Sequence, residues 1–271
     1  MADCQSGRAG WQDRRAGWQG GRAGLHAECV LAPNAGPMTL EGTNTWIVRG
    51  SPAGRSVVID PGPLHETHLR EVADRAGDVS AVLLTHGHLD HSEGARVFAE
   101  RAGCGVRALD PQHRLGDEGL GDGDVVDIDG LEVRVVGTPG HTSDSLSFVV
   151  PEDRAVLTGD TVLGRGTTVV AHPDGRLGAY LGSLRRLHRL AEAAGIDSVL
   201  PGHGPVIDDA LAVLDHYLAH RAERLEQVRA AVTAGASTPG EVVEHVYVDV
   251  DPVLWPAAEL SVRAQLDYLR E

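Results

Sequence analysis

Thr85-His86-Gly87-His88-Leu89-Asp90-His91 places three imidazoles and a carboxylate within six positions, directly after the apolar run Ala81-Val82-Leu83-Leu84. That run reads as a short buried strand, and the residues after Ser92 take up helical spacing toward Ala102, so the ligand-type side chains fall on the turn between strand and helix. His86 and His88 are two apart, and an extended backbone aims both at one point. Asp90 and His91, past the bend, face a second point nearby. A single histidine in a loop is commonly incidental, whereas four ligand-type residues at one strand end point to metal chemistry.

Three more such residues each follow an apolar, strand-like run. His141 in Pro139-Gly140-His141 follows Leu131–Thr138, Asp160 in Thr158-Gly159-Asp160 follows Arg154–Gly159, and His203 in Pro201-Gly202-His203-Gly204-Pro205 follows Ser198–Leu200. A glycine beside each allows the backbone to approach a crowded centre. Strand ends gathered on one edge would bring together five histidines and two aspartates. That is more than one tetrahedral ion uses, and it suits two zinc or similar divalent ions ~3.5–4 Å apart sharing a carboxylate.

Working outward, Thr45–Gly50 and Ser56–Asp60 read as a hairpin, Leu69–Ala76 as a helix, Ser145–Val150 as a strand, and Leu181, Leu184, Leu187 and Leu190 as one face of another helix. Strands interspersed with helices predict a layered α/β fold. Beyond Pro205 the pattern turns helical, and Thr238-Pro239-Gly240-Glu241 forms a capping box with proline at the first helical position. The expected division is a disordered Gly/Arg-rich tail over 1–24, a metal-binding domain over 25–207 and a small helical domain over 208–271. The tail admits a basic-arm reading, but its four arginines are offset by Asp3 and Asp13.

The 271 residues carry 24 basic groups, every one arginine, against 39 acidic ones, for a net charge of −15. Such a surface repels phosphate backbones. From Asp208 onward twelve carboxylates face five arginines, and Asp110 to Asp129 holds seven against Arg114 alone. Cys4, Cys29 and Cys104 offer no CxxC spacing and no disulfide framework, which fits a reducing cytoplasm. No apolar run approaches the ~20 residues of a membrane span.

The ordered series HGHLDH, GH, GD and GHG resembles that of the metallo-β-lactamase fold superfamily. The resemblance implies an αβ/βα sandwich in which His86, His88 and His141 hold one zinc, Asp90, His91 and His203 the other, and Asp160 bridges them. Asp60 would support the ligands from behind, and Asp90 would orient a metal-bridging hydroxide that attacks a carbonyl or phosphorus. A bridging aspartate is absent from true β-lactamases, so antibiotic hydrolysis is not expected. A narrower likeness, through APNAGPMTLEGTNTWIV, SVVIDPG, LTGDTVLGRGTTVV, LPGHGPVI and HRAERLEQV, is to the β-lactamase-like protein 2 subgroup of endoribonucleases and to fungal polyketide thioesterases. It implies a C-terminal winged-helix-like domain, here lacking its β-wing.

Because the acidic surface disfavours RNA, the leading expectation is hydrolysis of a small or carrier-bound ester or thioester. Single-stranded RNA cleavage is the alternative, followed by β-lactam hydrolysis or a non-catalytic metal-binding scaffold. His172 and Tyr180 are candidates for the border of the substrate pocket, with Tyr180 as a hydrogen-bond donor, although ordinary packing or surface placement is the commoner fate of such residues. Cys104 reads as buried filler. His216 and His220, one helical turn apart, lack an apparent third ligand for a separate metal.

Overall fold

The computed structural model describes residues 17–271. A six-stranded sheet runs in chain order through β1 (Gly21–Ala23), β2 (Ala27–Leu31), β3 (Asn44–Arg49), β4 (Ser56–Ile59), β5 (Val79–Leu83) and β6 (Gly105–Arg107). Between its strands lie α1 (Glu66–Ala76), the single turn α2 (Leu89–Ser92) and α3 (Ala95–Ala102). The second sheet contains β7 (Val125–Ile128), β8 (Leu131–Gly137), β9 (Leu146–Val150), β10 (Ala155–Gly159) and β11 (Ser198–Pro201), in the order β11-β10-β9-β8-β7, with α4 (Leu177–Ala194) preceding β11. Three helices follow, α5 (Ala210–Thr233), α6 (Pro239–Val246) and α7 (Trp255–Arg270).

Alternation along the strands builds the layers. Trp46 and Val48, Val57 and Ile59, and Phe148 and Val150 point between the sheets into a common core. Their neighbours Ile47 and Val58 turn outward onto Leu69 and Val72 of α1 and Phe98 of α3, and Val149 turns outward onto the face of α4 and α5. Period-two side-chain direction thus produces an αβ/βα sandwich, as expected. The parallel pairs β4–β5 and β10–β11 end on the same edge. Carboxyl ends of parallel strands are where such sheets bind ligands.

This edge is stitched across the sheets. Leu146 N donates to Thr85 O at 2.8 Å, the Asn44 amide donates to Pro201 O and Gly204 O, and Trp46 Nε1 donates to Pro201 O at 3.0 Å.

Two expectations change. Residues 17–24 are not tail: β1 pairs with β2, Asp153 caps the connecting turn through Leu25 N and His26 N, and Trp18 packs on the central core. The apolar surface of Trp18 and Ala23 outweighs the glycine-rich local signal; residues 1–16 lie outside the described residues. Nor does the core divide at residue 207. Val213, Leu214 and Tyr217 of α5 belong to the α4 layer, while Val228 and Ala231 of the same helix pack with Val242, Val243, Ala258 and Val262. A 24-residue helix is therefore shared by both halves. The Thr238–Glu241 capping box is formed, and among the described residues no strand follows β11.

Candidate metal centre

The seven residues meet at the stitched edge. His86 Nε2 and His141 Nε2 each lie 3.1 Å from His88 Nδ1. Alongside, His91 Nε2 is 3.2 Å from His203 Nε2, and Asp90 Oδ2 is 3.3 and 3.1 Å from those two nitrogens. Asp160 spans the groups: Oδ1 lies 3.4 Å from His91 Nε2, and Oδ2 lies 3.4 Å from His203 Nε2 and 3.7 Å from His141 Nε2.

These separations test the fit to a metal. Donors ~2.0–2.1 Å from a tetrahedral ion stand about 3.3 Å apart, close to the edges seen here. Asp160 Oδ1 is buried with no hydrogen-bond partner, an orphaned acceptor that a cation satisfies. His86, His88 and His141 form one ligand-type cluster, and Asp90, His91 and His203 another. The donor set, nitrogen and carboxylate oxygen with no thiolate, suits a borderline divalent ion.

Each buried histidine has its outward nitrogen occupied, which fixes the tautomer. His141 Nδ1 donates to Val169 O at 2.8 Å, and His203 Nδ1 donates to Gly42 O at 3.1 Å. His91 Nδ1 lies 2.8 Å from Asp60 Oδ2. Thr85 donates its hydroxyl to the same oxygen at 2.6 Å and its N–H to Oδ1 at 2.8 Å, leaving Thr85 Oγ1 to accept from His86 Nδ1 at 2.9 Å. Asp60 therefore orients one histidine of each cluster, and it does so from a left-handed backbone with φ of 51°.

Gly202 shows how tight the packing is. A Cβ there would stand 2.5 Å from Asp160 Oδ1 and 2.8 Å from His91 Cε1. Gly140, with φ of 133°, lies so close to α4 that a Cβ would stand 2.3 Å from Tyr180 Cα.

Electrostatically the centre calls for positive charge. Burial opposes ionisation of Asp160, but His203 and His91 outweigh it and hold the carboxyl well below its usual range. Burial likewise opposes charge on His91, yet Asp160 and Asp60 raise it well above the ordinary imidazole value. His203, resisted by burial and favoured by Asp160 and Asp90, is pushed up to about 9. His86 and His141 are lowered, burial being the main cause. The carboxylates of Asp160, Asp60 and Asp90 thus favour positive charge on this side of the centre, the role that divalent ions would fill.

Tyr180 and His172 do not border the cavity beside the centre. Tyr180 is fully buried, and its hydroxyl donates to Thr161 O at 2.7 Å beneath the site, because α4 turns that face into the core. His172 lines a separate cavity with Asp267 and Tyr268. The cavity beside the centre has a volume of about 530 Å³ and is lined by His141, Asp160, Met38, Leu40, Arg221 and Arg224, among others. Arg221 and Arg224 lie on α5 within the HRAERLEQV stretch, where nothing local to the chain shows that they reach this cavity. His216 and His220 stack with centroids 6.3 Å apart and join no ligand-type cluster among the described residues.

Comparison with known proteins agrees with this geometry. The metallo-beta-lactamase superfamily profile matches residues 38–203, and that of the beta-lactamase associated winged helix domain matches 238–271. The chain is 35% identical to an atrochrysone carboxyl ACP thioesterase of Aspergillus fumigatus, over 80% of this chain and 72% of that one. It is 31% identical to a beta-lactamase-like protein 2 homolog of Caenorhabditis elegans, over 81% and 76%. Such curated relatives are spanned over 59% to 80% of their own lengths. In structure it is similar to a beta-lactamase domain protein from Burkholderia ambifaria, with a TM-score of 0.79, 24% identity, and 93% of this chain and 87% of that chain covered.

Proposed function

This chain belongs to the metallo-β-lactamase superfamily, and from that premise we propose that it is a di-zinc hydrolase of small or carrier-bound acyl thioesters or esters. Hydrolase chemistry and a divalent metal centre follow from the family and the His/Asp cluster. Two zinc ions held by His86, His88, His141 and by Asp90, His91, His203, with Asp160 shared, would make a hydroxide available near pH 7 and polarise the scissile carbonyl.

The chain's own residues do the rest. Asp90, about 30% exposed and 3.4 Å from Thr43 Oγ1, is the carboxylate placed to take the attacking water's proton and orient it. Thr85 and Asp60 engage His86 and His91 through Nδ1, so that each ring turns its Nε2 toward the centre. Met38, Leu40, Leu254 and Ala257 line the adjacent cavity and offer an apolar bed for an acyl chain.

The observation that carries this reading is the cavity itself. At about 530 Å³ beside His141 and Asp160, it has the volume of a small-molecule site, whereas RNA needs a basic track along several phosphates. The thioesterase relative supports the same choice. Single-stranded RNA cleavage is the second reading, supported by the nematode relative, while β-lactams and a non-catalytic scaffold rank lower. We place the protein in the cytoplasm on the free thiols of Cys29 and Cys104; no helix among the described residues is long and apolar enough to cross a membrane.

The test is a parallel turnover assay of metal-loaded protein on acyl thioesters, aryl esters, a fluorogenic cephalosporin and labelled single-stranded RNA, with His86→Ala as control. Thioester or ester hydrolysis abolished by that substitution is expected. RNA cleavage abolished by it, with thioesters untouched, reverses the ranking.

A further inference from the structure

Among the described residues many arginines stand in ion pairs, as with Arg55–Asp129, Arg154–Asp197 and Arg186–Asp122. At the edge of the cavity, Arg165 is paired with Glu41. Arg221 and Arg224, which line that same cavity from α5, differ. Arg221 is only 6% exposed. It donates through Nη2 to Thr168 O, lies 5.0 Å over the Tyr180 ring, and its buried Nε has no partner. Arg224 is half-buried, donates to Val246 O and lies 4.5 Å over the Tyr247 ring. Neither guanidinium has a carboxylate within 4.0 Å among the described residues.

A guanidinium removed from water without a counter-charge is costly, and an anion entering the cavity removes that cost through charge-assisted, two-pronged hydrogen bonds. The field of the pair is felt at His220 in the same wall. Burial, together with Arg221 and Arg224, pushes it down to about 4, and its buried Nδ1 has no partner. The other charged groups of the lining are Asp160 at the centre, Arg165, which is paired with Glu41, and Asp249, which is exposed. Arg221 is also close to the centre in bonding terms: Thr168, whose carbonyl it holds, donates its hydroxyl to Asp160 O at 2.6 Å.

We propose that Arg221 and Arg224 form an oxyanion-binding subsite that takes a carboxylate or phosphate carried by the acyl thioester whose scissile carbonyl sits at the His/Asp centre. This rests on the thioester reading and narrows it to anionic substrates. The oxyanion is either a carboxylate at the far end of the acyl chain or the phosphate of a phosphopantetheine arm. Two arginines in one partly open cavity, with an acidic exterior, favour such a single anionic group over a nucleic-acid backbone.

The test compares kcat/KM for adipyl- and hexanoyl-N-acetylcysteamine, and for hexanoyl-phosphopantetheine and hexanoyl-pantetheine, using wild type, Arg221→Lys, Arg224→Gln and, as a surface control on α5, Arg229→Gln. Calorimetric titration with adipate and inorganic phosphate accompanies it. Wild type is expected to prefer the anionic member of one pair by about ten-fold. That ratio should collapse toward one in Arg224→Gln and persist in Arg229→Gln, with anion binding following the same pattern. If Arg221→Lys does not fold, Arg224→Gln alone decides. A wild-type ratio near one with no anion binding overturns the subsite and leaves the thioester reading standing. Anion binding lost in Arg224→Gln without turnover of any thioester supports the subsite and sinks that reading. RNA cleavage weakened by Arg224→Gln, with no thioester preference, overturns the proposal in favour of a phosphate-backbone track.

Discussion

One oxygen of Asp60, Oδ2, lies 2.8 Å from His91 Nδ1 and 2.6 Å from Thr85 Oγ1. Through that pair of contacts a single carboxylate sets the tautomer of His91 directly and of His86 by way of Thr85. Asp60→Asn, which can neither accept both hydrogen bonds as an anion nor stabilise imidazole basicity, should lower metal affinity at both clusters by about 10–100-fold. Competition titration with a chromophoric chelator reads this. Loss at one cluster only would show that the Thr85 relay carries nothing.

Full metal loading is expected at close to two equivalents per chain, with Asp160→Ala weakening both, because Asp160 contacts ligands of each cluster. Chelation should lower the melting temperature, since ions that bind only the folded chain stabilise it by mass action. One equivalent, unchanged in Asp160→Ala, would exclude a shared carboxylate.

Gly202→Ala should leave the fold intact and disable the centre, because the added Cβ meets Asp160 Oδ1 and His91 Cε1, neither of which can move without leaving the cluster. A fall of at least ten-fold in metal affinity, with an unchanged far-ultraviolet spectrum, is the expected pair of readouts.

His68 supplies a pH dependence away from the ligands. Buried and 2.9 Å from Thr45 Oγ1, it is pushed down by burial to about 4 from an ordinary value of 6.5. Below pH 6.5 the unfolded chain takes up a proton that the folded chain refuses, so stability is present above that pH and is lost on acidification until about pH 4. The slope is at most about 1.4 kcal/mol per pH unit. Denaturant unfolding at pH 7 and pH 5 should therefore show a smaller acid loss in His68→Gln than in wild type. Equal losses would place the acid sensitivity elsewhere.

Trp18→Ala should destabilise the protein by about 1–3 kcal/mol, through lost packing and the hydrogen bond from Nε1 to Asn44 Oδ1 at 2.8 Å. Asn44 in turn holds Pro201 O and Gly204 O next to His203, so metal affinity should fall as well. Unchanged stability would restore residues 17–24 to the dispensable tail that their glycines suggest.

The residues that gather at the centre and the layered α/β plan are readable from the chain alone. His86, His88, Asp90, His91, His141, Asp160 and His203 were legible because each follows a short apolar run that can only end at a sheet edge, and local chemistry names the residue types that bind metal. The capping box at Thr238 was legible for the same reason, since both its partners lie within four residues. Strands β6 and β7, three and four residues long, are too short for periodicity to register. Tertiary structure alone decided what depends on contacts between distant segments. It buried Tyr180 under Gly140, carried His172 to another cavity, and recruited Trp18 into the core through Asn44, 26 residues away. It also ran α5 through two packing clusters, so that Arg221 and Arg224, written in the chain as ordinary charges on a long helix, came to line the cavity beside the centre. Hydrophobic pattern tells a helix which face to bury, but only the packing of all the layers decides which polar groups are enclosed with it.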